Sequence, residues 1–503
     1  MPFNSIFSWL IKKRMHQIEL FMKYPLEVQQ EVMQKLIQTA AHTEYGAKYN
    51  FSGISNYDDF KKNVPLQYYE DVKPYVDRIF KGEDNILWPG PIKWFAKSSG
   101  TTTDKSKFIP VTPESLEECH YKGGKDLLCL YYHRFPNRKL YKGKHLIVGG
   151  SSQVNYLNHD SYFGDLSAII IKNLPWWAEI RRIPKKHIAL LDRWDEKLEQ
   201  MAQSTLTQDV YILAGVPSWT LLLLKRVLEI SGKNNIADVW PNLELFMHGG
   251  VSFAPYRDQF NQIIRKGGMH YVETYNASEG FFGIQDTEKN ELLLMLDYGI
   301  FYEFIPMTEI NKPNPKAVWL EDVQEGVNYA MVISTNSGLW RYVIGDTVMF
   351  TSTTPFRFVI TGRTRYFINV FGEEVIVDNA EKALAIACER TQSAIREYTV
   401  APVYMEGGNA GAHEWLIEFE VAPADMVFFT EVLDTALKSI NSDYEAKRSH
   451  NFILRPPVIR SARSGTFYAW LKSKDKLGGQ HKVPRLSNDR KIMDEILKTE
   501  LVS

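Results

Sequence analysis

Residues 94–111 have the sequence WFAKSSGTTTDKSKFIPV, and the fold prediction starts from this stretch. Aromatic and β-branched residues at both ends flank a centre of small and polar residues. That pattern is typical of a strand, a loop and a second strand. We therefore expect residues 94–111 to form a hairpin-like unit within a sheet.

The centre of this stretch, residues 97–107, combines hydroxyl groups, one glycine and several lysines. Such a loop offers converging backbone N–H groups, hydroxyl donors and a mobile ammonium to phosphate oxygens. It lacks the second glycine before a Lys-Thr pair that a Walker loop requires. A phosphate-binding loop and an ordinary solvated turn both fit these residues. The candidate phosphate ligands are Ser98, Ser99, Gly100, Thr101, Thr102, Thr103 and Lys107.

The segments on either side predict a large mixed α/β domain. Apolar spacing predicts helix over residues 1–48, and a buried strand at 211–216 is followed by a helix that begins at Pro217 and stops at Gly232. Further strands are expected, and alternating strand and helix indicate an α/β fold. Those strands are predicted at 271–274, 292–296, 301–305, 329–335, 339–343 and 356–361.

The pattern changes after Gly362. Helices are predicted at 379–390 and 424–440, with a strand at 415–421 and then a polar, lysine-rich tail. We expect a hinge at 362–366 that separates a large domain, residues 1–361, from a small, mobile α+β domain, residues 362–503.

Composition excludes several classes of protein. The 503 residues carry 59 Lys and Arg against 60 Asp and Glu, a net charge of -1, which provides no general field for nucleic acid or anionic membrane. The basic and aromatic stretch at 172–187 is interpreted as a surface element. No uncharged apolar run is long enough to cross a bilayer. Three scattered cysteines favour a reducing, cytoplasmic location. No nucleic-acid or membrane partner is expected.

Two more segments carry candidate chemistry. Glu279 stands among small residues after a predicted strand, where a carboxylate suits Mg²⁺ that bridges nucleotide phosphates. Asp346 and Arg363 stand at predicted strand ends, where the carboxylate can accept both ribose hydroxyls and the arginine can reinforce that contact. Taken singly, an exposed turn glutamate, a hairpin aspartate and a surface arginine fit equally well.

Together and in this order, the segments resemble the adenylate-forming superfamily, and more closely the Gretchen Hagen family of acyl-acid amido synthetases. The resemblance extends over residues 98–485 and rests on four short motifs. They are Ser98-Ser99-Gly100-Thr101-Thr102 with Lys107-Phe108-Ile109-Pro110 and Thr112, Ala277-Ser278-Glu279, the Arg-Tyr-x-x-Gly-Asp run that ends at Asp346, and Lys482-Val483-Pro484-Arg485.

The resemblance implies roles for these residues. Residues 98–103 would contact the phosphates of ATP, Glu279 would hold Mg²⁺ and Asp346 would bind the ribose. Lys482 would enter the active site from the small domain. Val343 and the Asn276-Ala277 pair depart from many relatives, which leaves the nucleotide contacts open. The residues expected around the adenine are Tyr275, Gly249, Gly250 and Val251. Asn276, Ala277 and Ser278 are further expected contacts of ATP or AMP.

The implied reaction activates a small-molecule carboxylic acid as its acyl-adenylate and then transfers the acyl group to an amine, with an amino acid as the expected acceptor. Trp219 and Leu222 are candidates for an apolar acyl pocket, although both also fit a core. The alternative within this chemistry is an acyl-CoA ligase. A hydrolase built on Ser252 lacks the final glycine of the nucleophile elbow, and a nucleotide-binding module without turnover would not need Lys482 and Glu279.

Overall fold

The structure is a computed structural model of the 503-residue chain. It describes residues 2–99, 106–149, 155–158, 161–191, 193–250, 253, 256–264, 267–310, 312–364, 367–373, 375–406, 409–473 and 483–502. Of the predicted site residues, Gly100, Thr101, Thr102, Thr103, Val251 and Lys482 lie outside these ranges.

Helices cover the N-terminal region, the segments between strands and much of the C-terminal region. They are α1 (Pro2–Lys23), α2 (Pro25–Ala40), α3 (Glu44–Lys48), α4 (Tyr57–Asn63), α5 (Tyr69–Phe80), α6 (Pro113–Ser115), α7 (Lys122–Arg134), α8 (Leu166–Lys172), α9 (Trp176–Glu179), α10 (Lys186–Ala189), α11 (Trp194–Thr205), α12 (Pro217–Ser231), α13 (Ile236–Val239), α14 (Arg257–Ile263), α15 (Val377–Thr391), α16 (Met426–Ile440), α17 (Ser442–Arg448), α18 (Thr466–Ser473) and α19 (Lys491–Val502).

The strands begin at residue 94. They are β1 (Trp94–Ser99), β2 (Ser106–Val111), β3 (Lys144–Val148), β4 (Asn155–Asn158), β5 (Ser161–Gly164), β6 (Arg182–Ile183), β7 (Val210–Gly215), β8 (Leu245–Gly249), β9 (His270–Ala277), β10 (Gly280–Ile284), β11 (Leu292–Leu294), β12 (Ile300–Pro306), β13 (Val318–Trp319), β14 (Asn328–Thr335), β15 (Tyr342–Thr353), β16 (Phe356–Arg363), β17 (Phe367–Ile368), β18 (Val375–Ile376), β19 (Ala394–Val403), β20 (Ala412–Val421) and β21 (Val458–Ala462). Strands β9 to β18 follow one another without an intervening α-helix in the described residues.

A 12-stranded sheet forms the centre of the large domain, in the order β13-β12-β14-β15-β16-β11-β10-β9-β8-β7-β3-β6. In this sheet order, pairing is parallel from β6 through β3, β7 and β8 to β9. From β9 to the other edge of the sheet, at β13, every pair is antiparallel. Helix-length connections such as α12 allow parallel pairing, and short turns allow antiparallel pairing. The mixed α/β prediction is confirmed.

The hairpin-like unit at 94–111 forms as expected, within a separate four-stranded sheet of order β2-β1-β5-β4. Strands β1 and β2 pair antiparallel, with Ser98 opposite Lys107 and Ser99 opposite Ser106. The buried side chains of Phe95, Ala96 and Ile109 anchor the two strands in the core. The predicted phosphate-binding loop therefore leaves and re-enters a well-packed pair of strands.

The region after β16 contains a three-stranded sheet, β19-β20-β21, with α15 and α16 in contact with each other. The predicted lysine-rich tail is wrong, because α17, β21, α18 and α19 occupy that region. Its apolar side chains are spread thinly among polar ones, yet Trp470, Met493 and Ile496 meet in one buried cluster. The domain boundary after residue 361 and the hinge at 362–366 stay predictions.

The strand predicted at 339–343 is also partly wrong, since β15 begins at Tyr342. Residues 336–341 form a loop in which Gly338 has φ +88° and Arg341 has φ +45°. The Arg341 N–H donates to the Ser334 hydroxyl (2.9 Å), and the Arg341 carbonyl accepts from the N–H of Gln67 (3.0 Å). These bonds hold a backbone conformation that a non-glycine residue adopts only at a cost.

The Arg341 side chain explains why this conformation is kept. Its guanidinium donates to both carboxylate oxygens of Glu303 on β12 (2.8–3.1 Å), and also to the carbonyl of Val64 (2.7 Å). Both charged side chains are almost fully buried. A buried ion pair with this many hydrogen bonds joins the N-terminal helices to the central sheet.

No helix in the described ranges is both long and apolar enough to span a membrane. The thiols of Cys119, Cys129 and Cys388 are free, and the first two are buried. The cytoplasmic location inferred from these cysteines stays a prediction.

Replacing Arg341 tests this ion pair. Arg341→Met leaves Glu303 buried without its partner, so we expect the free energy of unfolding to fall by about 3–5 kcal/mol in urea denaturation. Lys35→Ala removes an exposed ion pair with Glu118 and is the control, with an expected loss below about 1 kcal/mol. Equal losses in the two variants would contradict the role given to Arg341.

Candidate active site

The flanks of the predicted phosphate-binding loop lie at the ends of β1 and β2. Ser98 and Ser99 end β1, and Lys107 is the second residue of β2. Lys107 is buried, and its ammonium lies 5.8 Å from the centre of the Tyr69 ring. The Tyr69 hydroxyl in turn accepts from the N–H of Phe108 (2.8 Å). The neighbouring residues thus hold Lys107 at the edge of the loop.

Lys107 and Glu279 form a buried pair of opposite charges. Glu279 occupies the turn between β9 and β10, and both residues are about 8% exposed. Burial raises the pKa of Glu279, and the nearby Lys107 charge partly offsets that shift. Burial lowers the pKa of Lys107, and Glu279 opposes that change. The first and second motifs are therefore within electrostatic reach of each other.

Asp346 is held by two other predicted site residues. Asp346 on β15 lies directly opposite Arg363 on β16, and Arg363 Nε lies 2.7 Å from Asp346 Oδ1. The Tyr275 hydroxyl donates to Asp346 Oδ2 (2.5 Å). Tyr275 is buried, and burial together with the Asp346 charge raises the pKa of its phenol far above the usual range. The carboxylate thus has a fixed orientation.

The two groups of charges lie in one site. Asp346 and Arg363 also influence the pKa of both Lys107 and Glu279. Residues from β2, the β9–β10 turn, β15 and β16 therefore lie within electrostatic reach of one another, although more than 250 positions of sequence separate Lys107 from Arg363. The structure brings together Lys107, Tyr275, Glu279, Asp346 and Arg363.

The predicted adenine-framing turn begins at the end of β8. Gly249 lies opposite Thr274 on β9, and a Cβ at Gly249 would lie 2.4 Å from the Thr274 carbonyl oxygen. Gly250 has φ +81°, which favours glycine. These two glycines let the chain turn next to Tyr275. In the segment that follows Tyr275, Asn276 is exposed, and Ala277 and Ser278 are half-buried.

A cavity of about 260 Å³ lies beside this cluster, between the large domain and the region after β16. Its walls include Ser278 and four charged side chains, two lysines and two aspartates. Trp219 also lines the cavity, whereas Leu222 packs against the neighbouring apolar core. The charged lining residues are Lys97, Asp165, Asp443 and Lys447.

Sequence reasoning missed most of this cavity. Lys447 lies in α17, within the segment that was expected to be a polar tail, and no local signal marks it. Asp165 stands immediately before α8, where an aspartate ordinarily caps a helix, yet its side chain makes no capping hydrogen bond. That departure is visible only in the structure.

The residues present fit a Mg²⁺ ion bound together with phosphates. The described residues contain no cluster of three or more metal-ligating side chains. Mg²⁺ usually takes only one or two carboxylates from the protein and keeps several waters. Glu279 is a buried carboxylate whose raised pKa reflects the cost of its charge. A cation at this carboxylate would relieve that cost.

Solved structures share the fold of this chain. An acyl acid amido synthetase, GH3.15, aligns with a TM-score of 0.61 and 20% identity, over 96% of this chain and 95% of the other. A 2-hydroxyisobutyryl-CoA ligase with 2-HIB-AMP and CoA aligns with a TM-score of 0.56 and 13% identity, over 95% and 92%. The fold is that of the adenylate-forming enzymes.

Family models then give the family. The GH3 family N-terminal domain matches residues 14–269, the central domain 293–363 and the C-terminal domain 378–491. The chain belongs to the GH3 (Gretchen Hagen) family, as its motifs predicted.

Curated relatives span nearly the whole chain. Indole-3-acetic acid-amido synthetase GH3.3 of Arabidopsis thaliana is 24% identical, over 95% of this chain and 91% of the relative. Jasmonoyl--L-amino acid synthetase GH3.5 of Oryza sativa subsp. japonica is also 24% identical, over 95% of both chains.

Proposed function

We propose that this chain is an ATP-dependent acyl acid amido synthetase, which joins a carboxylic acid to an amine through an acyl-adenylate. One observation carries the proposal. Lys107, Glu279, Asp346 and Arg363 come from distant segments and converge in one partly buried charged site. The chain around that site belongs to the GH3 family.

In the first half-reaction, a carboxylate oxygen of the acid attacks the α-phosphorus of ATP, and the bond to pyrophosphate breaks. Negative charge grows on phosphoryl oxygens in the transition state, so positioned cations and N–H donors accelerate this step. Lys107 and the loop from Ser98 to Thr103 are assigned to the phosphates. Because Lys107 is buried beside Glu279, its charge acts in a medium of low dielectric.

Asp346 is assigned to the ribose. Tyr275 and Arg363 each use one of its oxygens, yet a carboxylate offers about four lone-pair sites and can still accept from ribose hydroxyls. The same two contacts stop the carboxylate from rotating. Gly249, Gly250, Val251 and Tyr275 are assigned to the adenine, and the segment from Asn276 to Ser278 to further contacts of ATP or AMP.

Glu279 is the residue assigned to Mg²⁺, which when bound would neutralise phosphate charge. Until the ion binds, Lys107 is the nearby opposite charge that offsets the burial of this carboxylate.

In the second half-reaction, the amine nitrogen attacks the acyl carbon and the bond from that carbon to the AMP oxygen breaks. AMP leaves, and an acceptor that enters as an ammonium group loses two protons in forming the amide. The names of the relatives favour this outcome over a CoA thioester, since they describe amido synthetases that act on acyl acids and amino acids.

The acyl acid is proposed to be small or medium-sized and apolar or aromatic, with Trp219 and Leu222 near its pocket. Trp219 is 3% exposed, and Leu222 packs against the neighbouring apolar core. The hydrolase alternative centres on Ser252, which lies outside the described residues.

The proposal is tested by pyrophosphate exchange into ATP over a panel of aromatic and aliphatic acids, followed by mass spectrometry of products formed with amino acids or with CoA. We expect acid-dependent exchange and an amide product. Exchange followed by a thioester alone would replace the proposal with the CoA ligase, and no exchange with any acid would overturn both.

Asp346→Asn and Asp346→Ala test the ribose assignment. Loss of the charged acceptor should weaken ATP binding by about 2 kcal/mol, roughly thirtyfold in Kd by isothermal titration. Asp346→Asn keeps an oxygen for the Tyr275 hydroxyl and separates binding from folding. Asp286→Ala is the control, because Asp286 forms a similar two-bond pair with Arg357 on the same strand, β16. Unchanged ATP affinity in a folded Asp346→Asn variant would remove Asp346 from the ribose site.

Lys482→Ala tests the lysine assigned to the first half-reaction. A charge that stabilises the departing pyrophosphate matters less when an amine displaces AMP. We therefore expect adenylate formation to slow by roughly a hundredfold or more, the scale of one lost electrostatic group, and transfer from supplied adenylate to slow far less. Lys491→Ala, an exposed lysine at the start of α19, is the control. Equal losses in both half-reactions would mean that Lys482 positions the domain or the acceptor.

A further inference from the structure

The cavity beside the charged site has walls from two parts of the chain. Lys97, Asp165, Trp219 and Ser278 belong to the large domain, and Asp443 and Lys447 lie on α17. Its volume of about 260 Å³ is below the range of about 300–1,000 Å³ typical of pockets for drug-sized ligands. The cavity therefore suits a compact molecule.

Lys447 is held over the indole ring of Trp219. Its ammonium nitrogen lies 4.2 Å from the centre of that ring, a distance at which a cation is attracted to an aromatic face. Gly372 makes room for it, because a Cβ there would lie 3.0 Å from Lys447 Cε and 3.5 Å from its ammonium nitrogen. The lysine is thus directed into the cavity by its packing.

The helix that carries Lys447 is fixed as well. The next residue, Arg448, donates to both carboxylate oxygens of Asp434 on α16 (2.6 and 2.8 Å), and the Tyr444 hydroxyl donates to the same carboxylate (2.8 Å). All three side chains are buried. α17, which carries Lys447, is therefore anchored to α16.

Three carboxylates act on Lys447. Burial lowers the pKa of Lys447, while the carboxylates of Asp443, Asp165 and Glu373 oppose that shift. Glu373 is fully buried and accepts from His413 Nε2 and from the backbone N–H groups of Val370 and Phe371. Asp165 also interacts with Lys197, whose ammonium donates to the Gly149 carbonyl (3.2 Å). Asp165 itself is half-buried and lines the same cavity.

The cavity offers two ammonium groups and two carboxylates around an aromatic side chain. A ligand with one charge of each sign and no net charge matches such a lining better than a fatty or aromatic acid does, because each ligand charge that loses water then meets an opposite charge. An α-amino acid in its zwitterionic form is such a ligand. Ser278 in the same wall adjoins Glu279, which places the ligand next to the reaction site.

We propose that this cavity binds the acceptor α-amino acid, with Lys447 at the carboxylate of the ligand and Asp165 at its ammonium group. The inference rests on the proposed amide synthesis and adds the place where the acceptor binds and the residues that recognise it.

The test compares wild type with Lys447→Met, which keeps an unbranched stem against Trp219 and removes the charge. Amide synthesis is measured with an amino acid and with the decarboxylated amine of the same side chain. We expect Lys447→Met to lower kcat/KM for the amino acid by about tenfold to a hundredfold and to leave the amine nearly unchanged. Pyrophosphate exchange without acceptor should stay at the wild-type rate. Lys438→Met, which removes a lysine bound to Asp434 on α16 (2.9 Å), should leave the preference for the amino acid intact.

Asp165→Asn provides the second arm. Because both acceptors carry an ammonium group, we expect kcat/KM to fall for both by a similar factor. A preference for the amino acid that survives in Lys447→Met would overturn the carboxylate assignment, and unchanged kinetics in Asp165→Asn would overturn the ammonium assignment. A fall in acceptor-free exchange in Lys447→Met would instead place this lysine in the first half-reaction.

Direct binding separates this inference from the proposed function. Ligand-observed NMR with the full chain should show amino acid binding that weakens in Lys447→Met, whether or not an amide forms. Binding without amide synthesis would reject the proposed reaction and retain the site. Amide synthesis in which amino acid binding is the same in both proteins would retain the reaction and reject the site.

Discussion

The candidate active site depends on the pairing of β15 with β16. That pairing sets Asp346 directly opposite Arg363, at a point where the two strands also approach Tyr275 on β9. Cross-strand neighbours have side chains close enough to form an ion pair without further rearrangement. A slip of one residue would turn Asp346 to the other face of the sheet and leave the buried Tyr275 hydroxyl without its acceptor.

A second constraint is the burial of charge. Lys107 and Glu279 are both removed from water, and each limits the pKa shift of the other. Such pairs contribute little to folding because desolvation offsets their attraction. Their presence is better understood as preparation for a ligand that brings phosphate groups and a metal ion. The same reasoning distinguishes them from Arg341 and Glu303, whose many hydrogen bonds join secondary structure elements.

The sequence predicted the large domain well where local patterns are strong. The strand and helix at 210–231 follow a buried run, a proline at the first helical position and Gly232 with φ +65° at the end. The prediction of a strand at 339–343 placed its start too early, because the conformation of Arg341 determines where the strand begins. That left-handed conformation depends on Glu303 and Val64, which are far away in sequence. The sequence did not predict the C-terminal helices α18 and α19, because their apolar residues form a core only when the two helices pack together.

Motif residues were easier to find than the cavity beside them. Tyr275, Glu279 and Asp346 stand in short segments whose residue types suggest nucleotide chemistry. Lys447 and Asp165 stand in ordinary sequence surroundings, and only the folded chain brings both to the lining of one cavity. No local sequence pattern predicts that two side chains more than 280 positions apart will line the same cavity.

The contact between Lys447 and Trp219 joins two parts of the chain that are separate in the sheet topology. A ligand that touches both walls of the cavity binds only while those parts are adjacent. It therefore shifts the population toward this arrangement by as much as its affinity for the two arrangements differs. At saturating concentration, the acceptor would then stabilise the closed arrangement of the two domains. The population of that arrangement would depend on the concentration of a substrate that does not react in the first chemical step.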